Sequence, residues 1–118
     1  MRLRAEVRTA TAALGFSLVE QTKLVTAASE LGRNTLVHGG GGDATVELLT
    51  NGGRQGLRLV FSDHGPGIPD IDRALTDGYT TGDGLGLGLG GSRRLVGGDM
   101  RIESAPGEGT RITVTRWR

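Results

Sequence analysis

Two polar residues of a predicted helix, Glu30 and Asn34, are the first candidates for chemistry. Positions i and i+4 of an α-helix share one face, so both side chains point the same way. A carboxylate can act as a general base, and an amide oxygen can ligate Mg²⁺, which prefers oxygen donors. The same spacing is also typical of a solvated polar pair, so taken alone it leaves both interpretations open.

A second candidate site begins at Asp63, which ends a predicted strand and meets the loop Gly65-Pro66-Gly67. A carboxylate at the end of a strand can accept a hydrogen bond from a ligand amine, and glycines let the backbone approach a flat ring closely. An ordinary turn, in which the aspartate bonds to nearby backbone, explains the same residues. The pattern alone does not decide between the two.

The third candidate is a glycine run in which Gly84, Gly86 and Gly88 precede a predicted short helix at 92–96. Backbone N–H groups of a glycine loop that opens a helix form a phosphate site. No strand directly precedes the run and it has no GxxxxGK[ST] motif, which excludes a dinucleotide-binding fingerprint and a P-loop. A flexible surface loop is the alternative, but long loops without structure are uncommon in compact domains unless they are functional.

Periodicity and turn residues predict the elements that position these groups. Apolar residues at helical spacing between Leu3 and Leu14 predict a first helix, and the capping box Ser17-Leu-Val-Glu20 starts a second helix that ends by His38. Strands are predicted at 44–50, 57–62, 100–104 and 111–117, and short helices at 70–75 and 92–96, whereas 77–91 is too poor in apolar residues to form a packed element. This order predicts an α+β fold, a two-layer sandwich with the helices on one face of a largely antiparallel mixed sheet.

Composition narrows the class of protein. The 118 residues suit one domain, and the absence of cysteine excludes disulfides, thiolate zinc sites and a cysteine nucleophile. A net charge of +1 predicts no strong attraction to nucleic acid or to an anionic membrane. No apolar run approaches membrane-spanning length, and no apolar signal core follows the first residues. We therefore expect a cytoplasmic protein.

The order and spacing of the candidate motifs resemble the four nucleotide-contacting boxes of the GHKL (Bergerat-fold) superfamily of ATP-binding domains. In this chain the boxes read Glu30-Leu-Gly-Arg-Asn34, Asp63-His-Gly-Pro-Gly67, Gly84-Leu-Gly-Leu-Gly88 and Gly109-Thr110. The stretches GPGIPDIDRALTDGYTT, GLGLGLGGSRRLV and RIESAPGEGTRITV are similar to the RsbT-like switch kinases of the stressosome. Those are single-domain members of the anti-sigma-factor serine/threonine kinase family.

The resemblance implies a role for each box. Glu30 activates the substrate hydroxyl, Asn34 holds Mg²⁺, Asp63 contacts the adenine amino group and Thr110 supports the same edge. The segment from about 68 to 91 is the lid over the triphosphate. The residues that the resemblance implies contact the nucleotide are Asn34, Asp63, Gly65, Gly67, Gly84, Gly86, Gly88 and Thr110.

By the same resemblance, we expect phosphoryl transfer from Mg-ATP to a Ser or Thr of a STAS-domain antagonist, with a serine phosphatase or a sigma-factor regulator as a further partner. Arg33 or the pair Arg93-Arg94 can add positive charge at the phosphates, and surface solvation explains them equally well. The alternatives are a nucleotide-binding switch module without kinase activity, a detached ATP domain of a histidine kinase, and a structural domain whose glycines only make turns.

The chain departs from the family at its start. The family opens with a strand before the first helix, whereas this sequence begins almost inside that helix. Whether the sheet has its N-terminal edge strand is therefore left open by the sequence.

Overall fold

Helices and strands alternate in blocks through the computed structural model, which describes residues 2–68, 70–75, 88–97 and 99–118. The elements are α1 (Arg2–Ala13), α2 (Leu18–Val37), β1 (Gly42–Asn51), β2 (Arg54–Asp63), α3 (Ile71–Ala74), α4 (Gly88–Leu95), β3 (Met100–Ala105) and β4 (Gly109–Trp117). Within those ranges no strand precedes α1, and no helix combines the length and apolar character needed to cross a membrane.

The long helix α2 begins where its capping residue predicts. The Ser17 side-chain oxygen accepts a hydrogen bond from the Glu20 backbone N–H at 3.1 Å, which satisfies one of the donors left free at a helix start. The second half of the predicted capping box is replaced by a tertiary contact, because Glu20 Oε2 accepts a hydrogen bond from Arg116 Nη2 at 3.0 Å. Glu20 therefore joins the start of α2 to β4.

The four strands form one sheet in the order β1-β2-β4-β3, and every pair in the described part of the chain is antiparallel. Alternate residues of β2 and β4 face the helices. The helical spacing of Leu24, Ala27, Ala28, Leu31 and Thr35 predicts one buried face of α2, and all five side chains are buried. The core residues of these three elements are Leu24, Val25, Ala27, Ala28, Leu31, Leu57, Leu59, Phe61, Ile112 and Val114. The α+β prediction, with helices on one face of an antiparallel sheet, is confirmed.

The opposite face of the sheet carries charged residues. Glu47 of β1 lies directly across from Arg58 of β2, and Glu103 of β3 lies across from Arg111 of β4. Directly opposed residues of opposite charge stabilise neighbouring strands modestly. This polar pattern is typical of a sheet with one face packed and one face solvated.

At the far end of that face, Trp117 covers a glycine. Gly56 is paired with Trp117, and a Cβ on Gly56 would lie 2.7 Å from the indole atom Cε3. The Arg54 guanidinium carbon lies 5.6 Å from the centre of the ring, within the range of a cation–π contact. The indole therefore fills the space that glycine leaves on this strand.

Helix α4 begins four residues earlier than the sequence predicts, at Gly88, so the prediction that 77–91 forms no packed element is wrong for 88–91. Leu89 and Ser92 of the helix are buried, as is Val96 just beyond its end, and the helix packs against α2. Burial of these side chains offsets the low helix propensity of the glycines, which local sequence rules count against a helix. Residues 76–87 lie outside the described part of the chain.

The N-cap can be tested by a matched pair of substitutions. Ser17→Ala removes the side-chain acceptor and is expected to lower the free energy of unfolding by about 1 kcal/mol. Ser17→Asp keeps an acceptor at the same position and is expected to stay near wild type. Urea unfolding of the three proteins measures both effects, and equal losses in the two variants would contradict the capping role of Ser17.

Candidate nucleotide site

Four residues lie side by side at one end of the sheet, one from each strand. Asp63 is paired with Gly42 on one side and with Thr110 on the other, and Thr110 is paired with Ser104. Side chains alternate between the two faces of a strand, so Asp63 lies on the same face as the buried Phe61 two residues earlier. This row therefore lies on the face that packs against the helices. We call Gly42, Asp63, Thr110 and Ser104 the polar row.

The Asp63 carboxylate is fixed by two backbone donors. Its Oδ1 accepts hydrogen bonds from the Gly65 N–H at 2.9 Å and from the Thr110 N–H at 3.2 Å. No group in the described part of the chain donates to its other oxygen, Oδ2. The carboxylate is therefore oriented by the protein while one oxygen remains able to accept a hydrogen bond from a ligand.

Helix α2 brings its predicted residues to the same end of the molecule. A Cβ on Gly39, just beyond the helix, would overlap the Asp63 carboxyl group, so the backbone of Gly39 lies against that side chain. The Gly39 N–H donates to the Asn34 carbonyl at 3.2 Å, which places Asn34 about one turn before this contact. Glu30 lies a further turn back on the same helix face.

Glu30 and Asn34 are both half-buried, in contrast to a freely solvated polar pair. Glu30 Oε2 lies 3.9 Å from Arg33 Nη1. The Arg33 side chain is 41% exposed, and an ion pair of that length near solvent contributes little to stability. Arg33 therefore places positive charge beside Glu30.

The loop after β2 is held against the β3–β4 turn. Gly67 has a φ of +81°, and a Cβ at this position would overlap the carbonyl oxygen of Ala105. The Gly107 N–H donates to the Pro66 carbonyl at 2.8 Å. A Cβ on Gly65 would lie 2.7 Å from Gly39 Cα. The predicted glycines Gly65 and Gly67 are thus required where three segments meet.

Thr110 is joined to a residue that sequence reasoning missed. Its Oγ1 lies 2.9 Å from Ser104 Oγ, which also lies 2.9 Å from the Gly109 carbonyl and accepts a hydrogen bond from the Ile68 N–H at 2.8 Å. A serine two residues before a turn has no distinctive local signature. Only the pairing of β3 with β4 identifies Ser104 as the neighbour of Thr110.

Two predicted residues, Gly84 and Gly86, lie outside the described part of the chain, as do residue 69 and residues 76–87 of the predicted lid. Gly88 is described and forms the first residue of α4. Its position at the start of a helix that packs on α2 agrees with the predicted phosphate role, which itself remains a prediction.

Mg²⁺ at Asn34 also remains a prediction. Among the described residues, no group of three or more His, Cys, Asp or Glu is placed to hold a metal ion. Mg²⁺ keeps several waters and often takes few protein ligands besides substrate phosphates. One amide oxygen on a helix beside the candidate nucleotide site is therefore a compatible donor set.

Comparison with known proteins places this geometry in a family. The model of the histidine kinase-, DNA gyrase B- and HSP90-like ATPases matches residues 19–117. The chain belongs to this ATPase family. The GHKL superfamily that the motifs resemble is thereby confirmed as the family of this chain.

Individual members of the ATPase family are similar over most of the chain. The serine/threonine-protein kinase RsbT of Bacillus subtilis (strain 168) is 42% identical over 104 residues, which cover 88% of this chain and 77% of that protein. The anti-sigma F factor of Clostridium novyi (strain NT) is 30% identical over 105 residues, covering 85% and 73%. The solved structure of the mycobacterial sensor histidine kinase MprB matches with a TM-score of 0.59 at 24% identity, covering 82% of this chain and 71% of that one, and supports the fold.

Substitution of two glycines of this ATPase domain can separate the cost of a positive φ from the cost of a steric overlap. Gly107 has a φ of +79° with no atom within 4 Å of an added Cβ, whereas Gly67 has a similar φ and a carbonyl oxygen in the way. Gly107→Ala is expected to lower the free energy of unfolding by about 1–2 kcal/mol, the cost of a left-handed conformation. Gly67→Ala is expected to lose distinctly more. Chemical unfolding measures both, and equal losses would show that the contact with Ala105 is unimportant.

Proposed function

We propose that this chain is a Mg-ATP-dependent serine/threonine protein kinase that phosphorylates a STAS-domain antagonist in a cytoplasmic partner-switching pathway. The observation that carries the proposal is the placement of Glu30 and Asn34 on one face of α2, at the end where Gly39 lies against the Asp63 carboxyl. The similarity to a protein named as a serine/threonine kinase, at 42% identity, supports it.

Recognition of the base is assigned to Asp63. Its Oδ1 is engaged by two backbone N–H groups, and we assign Oδ2, to which no described group donates, the role of acceptor for the ligand. The adenine amino group is a donor that matches it, whereas a guanine presents a carbonyl oxygen at the same ring position. A site built around a ligand N–H rejects an analogue without one, because its own acceptor is then left unpaired.

We assign the binding of the phosphates to the region where α2 and the start of α4 meet. Helix α4 starts at Gly88, and a helix start has N–H groups without an intrahelical partner and the positive end of the helix dipole, both of which favour anions. Asn34 would hold Mg²⁺ through its amide oxygen, and the bound ion would neutralise developing charge on the transferred phosphoryl group. Arg33 adds a positive charge beside Glu30.

We assign to Glu30 the role of general base, which accepts the proton of the attacking hydroxyl. In this step the substrate serine or threonine oxygen forms a bond to the γ-phosphorus, the bond from that phosphorus to the bridging oxygen of ADP breaks, and the hydroxyl proton passes to the Glu30 carboxylate. Phosphoryl transfer depends on positioning more than on covalent help from the protein. A carboxylate on a rigid helix meets that requirement.

A second candidate function is a nucleotide-dependent switch module that binds its partners without phosphorylating them. The 30% identity to a protein named as an anti-sigma factor favours this candidate. In either case, we propose that release of the STAS-domain partner frees the chain to bind a serine phosphatase or a sigma-factor regulator.

The role of Asp63 predicts a preference for the adenine base. Wild type is expected to bind Mg-ATP more tightly than Mg-GTP, and Asp63→Asn is expected to lose nucleotide affinity while remaining folded, because its amide can place a donor against the adenine amino group. Calorimetric titration measures the affinities and circular dichroism checks the fold. Equal affinity of the wild type for ATP and GTP would remove Asp63 from this role.

The roles of Glu30 and Asn34 predict different defects. Asn34→Ala is expected to weaken Mg²⁺-dependent ATP binding, because a metal ligand acts before the reaction begins. Glu30→Gln keeps the shape of the side chain, so it is expected to bind Mg-ATP nearly as well as wild type yet transfer phosphate about 10²–10⁴-fold more slowly. Thermal stabilisation by nucleotide measures binding, and labelled ATP with the STAS-domain partner measures transfer.

The outcomes of that experiment separate the candidates. A wild-type rate in Glu30→Gln would show that Glu30 is not the base. Binding of ATP by the wild type without transfer to any STAS-domain partner would replace the kinase by the switch module.

A further inference from the structure

The Ser104 hydroxyl makes three hydrogen bonds within the described part of the chain, more than the side chain of Asp63 or Thr110 in the polar row. Its hydroxyl oxygen lies 2.8 Å from the Ile68 backbone nitrogen, 2.9 Å from the Gly109 carbonyl oxygen and 2.9 Å from Thr110 Oγ1. Ser104 and Thr110 are also directly paired in the β3–β4 ladder, on the face that carries Asp63. Ser104 thus joins the loop after β2 to the end of the sheet where a base is proposed to bind.

Counting hydrogens fixes the direction of these bonds. A serine hydroxyl has one hydrogen to donate and two lone pairs that accept. The Gly109 carbonyl can only accept, so the hydrogen of Ser104 is directed to it, and the Ile68 N–H can only donate, so it occupies one lone pair. The remaining lone pair of Ser104 accepts the hydrogen of Thr110.

The consequence falls on Thr110. With its hydrogen directed to Ser104, Thr110 Oγ1 can offer a ligand only lone pairs. Asp63 Oδ2, one strand away in the same row, likewise only accepts. The edge of the site is therefore set as a pair of acceptors, although a threonine hydroxyl alone is free to rotate and donate.

We propose that Ser104 is a specificity-determining positioning residue, which directs the hydrogen of Thr110 away from the ligand and so selects a base whose group at ring position 6 donates, as the amino group of a 6-aminopurine does, over one whose group there only accepts, as the carbonyl of a 6-oxopurine does. This inference rests on the proposed function, since it assigns the selectivity of the same nucleotide site. Ser104 acts through Thr110 and is not itself a catalytic residue.

The contact with Ile68 gives Ser104 a second task. Ile68 is the first residue after Gly67, at the beginning of the predicted lid, and its N–H is held by the same oxygen that accepts from Thr110. Loss of the Ser104 hydroxyl therefore removes the acceptor for the Thr110 hydrogen. It also removes the hydrogen bond that holds the backbone of Ile68 against β3.

The test compares base selectivity in variants of Ser104. Ser104→Ala frees the Thr110 hydroxyl to rotate and donate to a carbonyl, so the ratio of Mg-ATP to Mg-GTP affinity is expected to fall about tenfold, the loss that one mismatched hydrogen bond brings. Ser104→Thr keeps the hydroxyl and is expected to restore the ratio. Ser62→Ala, which removes a serine hydroxyl from the opposite face of β2, is the matched control and is expected to leave the ratio unchanged.

A second variant keeps the inference testable if Ser104→Ala does not fold. Thr110→Val replaces the hydroxyl by a methyl group of similar size on a β-strand, and it is expected to lower the same ratio. In the Thr110→Val background, removal of the Ser104 hydroxyl is expected to change the ratio no further, because the two residues act as one unit.

Each result decides between a selective and a merely structural role. If Ser104→Ala weakens ATP and GTP binding by the same factor, or Thr110→Val leaves the ratio unchanged, the selectivity role of Ser104 is overturned while the proposed kinase function stands. If the wild type binds neither nucleotide, both proposals fall together. A reduced ratio in Ser104→Ala that Ser104→Thr restores supports the inference.

Discussion

The pairing of Asp63 with Thr110 is the contact on which the rest of the site depends. It joins the last residue of β2 to the beginning of β4, and the Thr110 N–H at 3.2 Å shares Asp63 Oδ1 with the Gly65 N–H. A carboxylate at a strand end has many orientations open to it, and two backbone donors reduce them to one. The arrangement positions a charged acceptor through backbone groups, and among the described residues no other side chain hydrogen-bonds to it.

That pairing is possible because neighbouring backbone comes unusually close. Gly39 lies against the Asp63 side chain, and the Gly109 backbone lies so near the Asp63 carbonyl that an added Cβ would overlap it. Glycine at such positions costs conformational entropy on folding and provides no side chain to the core. The large apolar core formed by α2, β2 and β4 offsets that cost. The core residues of β2 and β4 thus stabilise the fold, while the ends of the same strands carry the candidate site.

Much of this structure could be predicted from the sequence because the signals are local. Helical spacing identified the buried face of α2, Ser17 identified its start, and alternation with turn residues identified the strands. Box spacing identified Asp63 and Thr110, which the sheet pairs directly.

Features that depend on tertiary contacts were not predictable in this way. Glu20 bonds to Arg116, far along the chain, instead of completing its capping box. The early start of α4 follows from burial of Leu89 on a distant surface rather than from glycine propensity. Ser104 becomes notable only once the register of β3 against β4 is known. In each case the deciding partner lies in another element.

The position of Trp117 has a practical consequence for spectroscopy. It is the only tryptophan of the chain, and it lies at the end of β4 opposite to Thr110, over Gly56 and beside the Arg54 guanidinium. At about 3.3 Å per residue the indole is roughly 23 Å along the strand from the polar row. Tryptophan fluorescence therefore reports whether β2 and β4 remain joined, and it is largely insensitive to events at the opposite end of the sheet. Tryptophan emission measures the integrity of the sheet, whereas ligand binding needs a different probe.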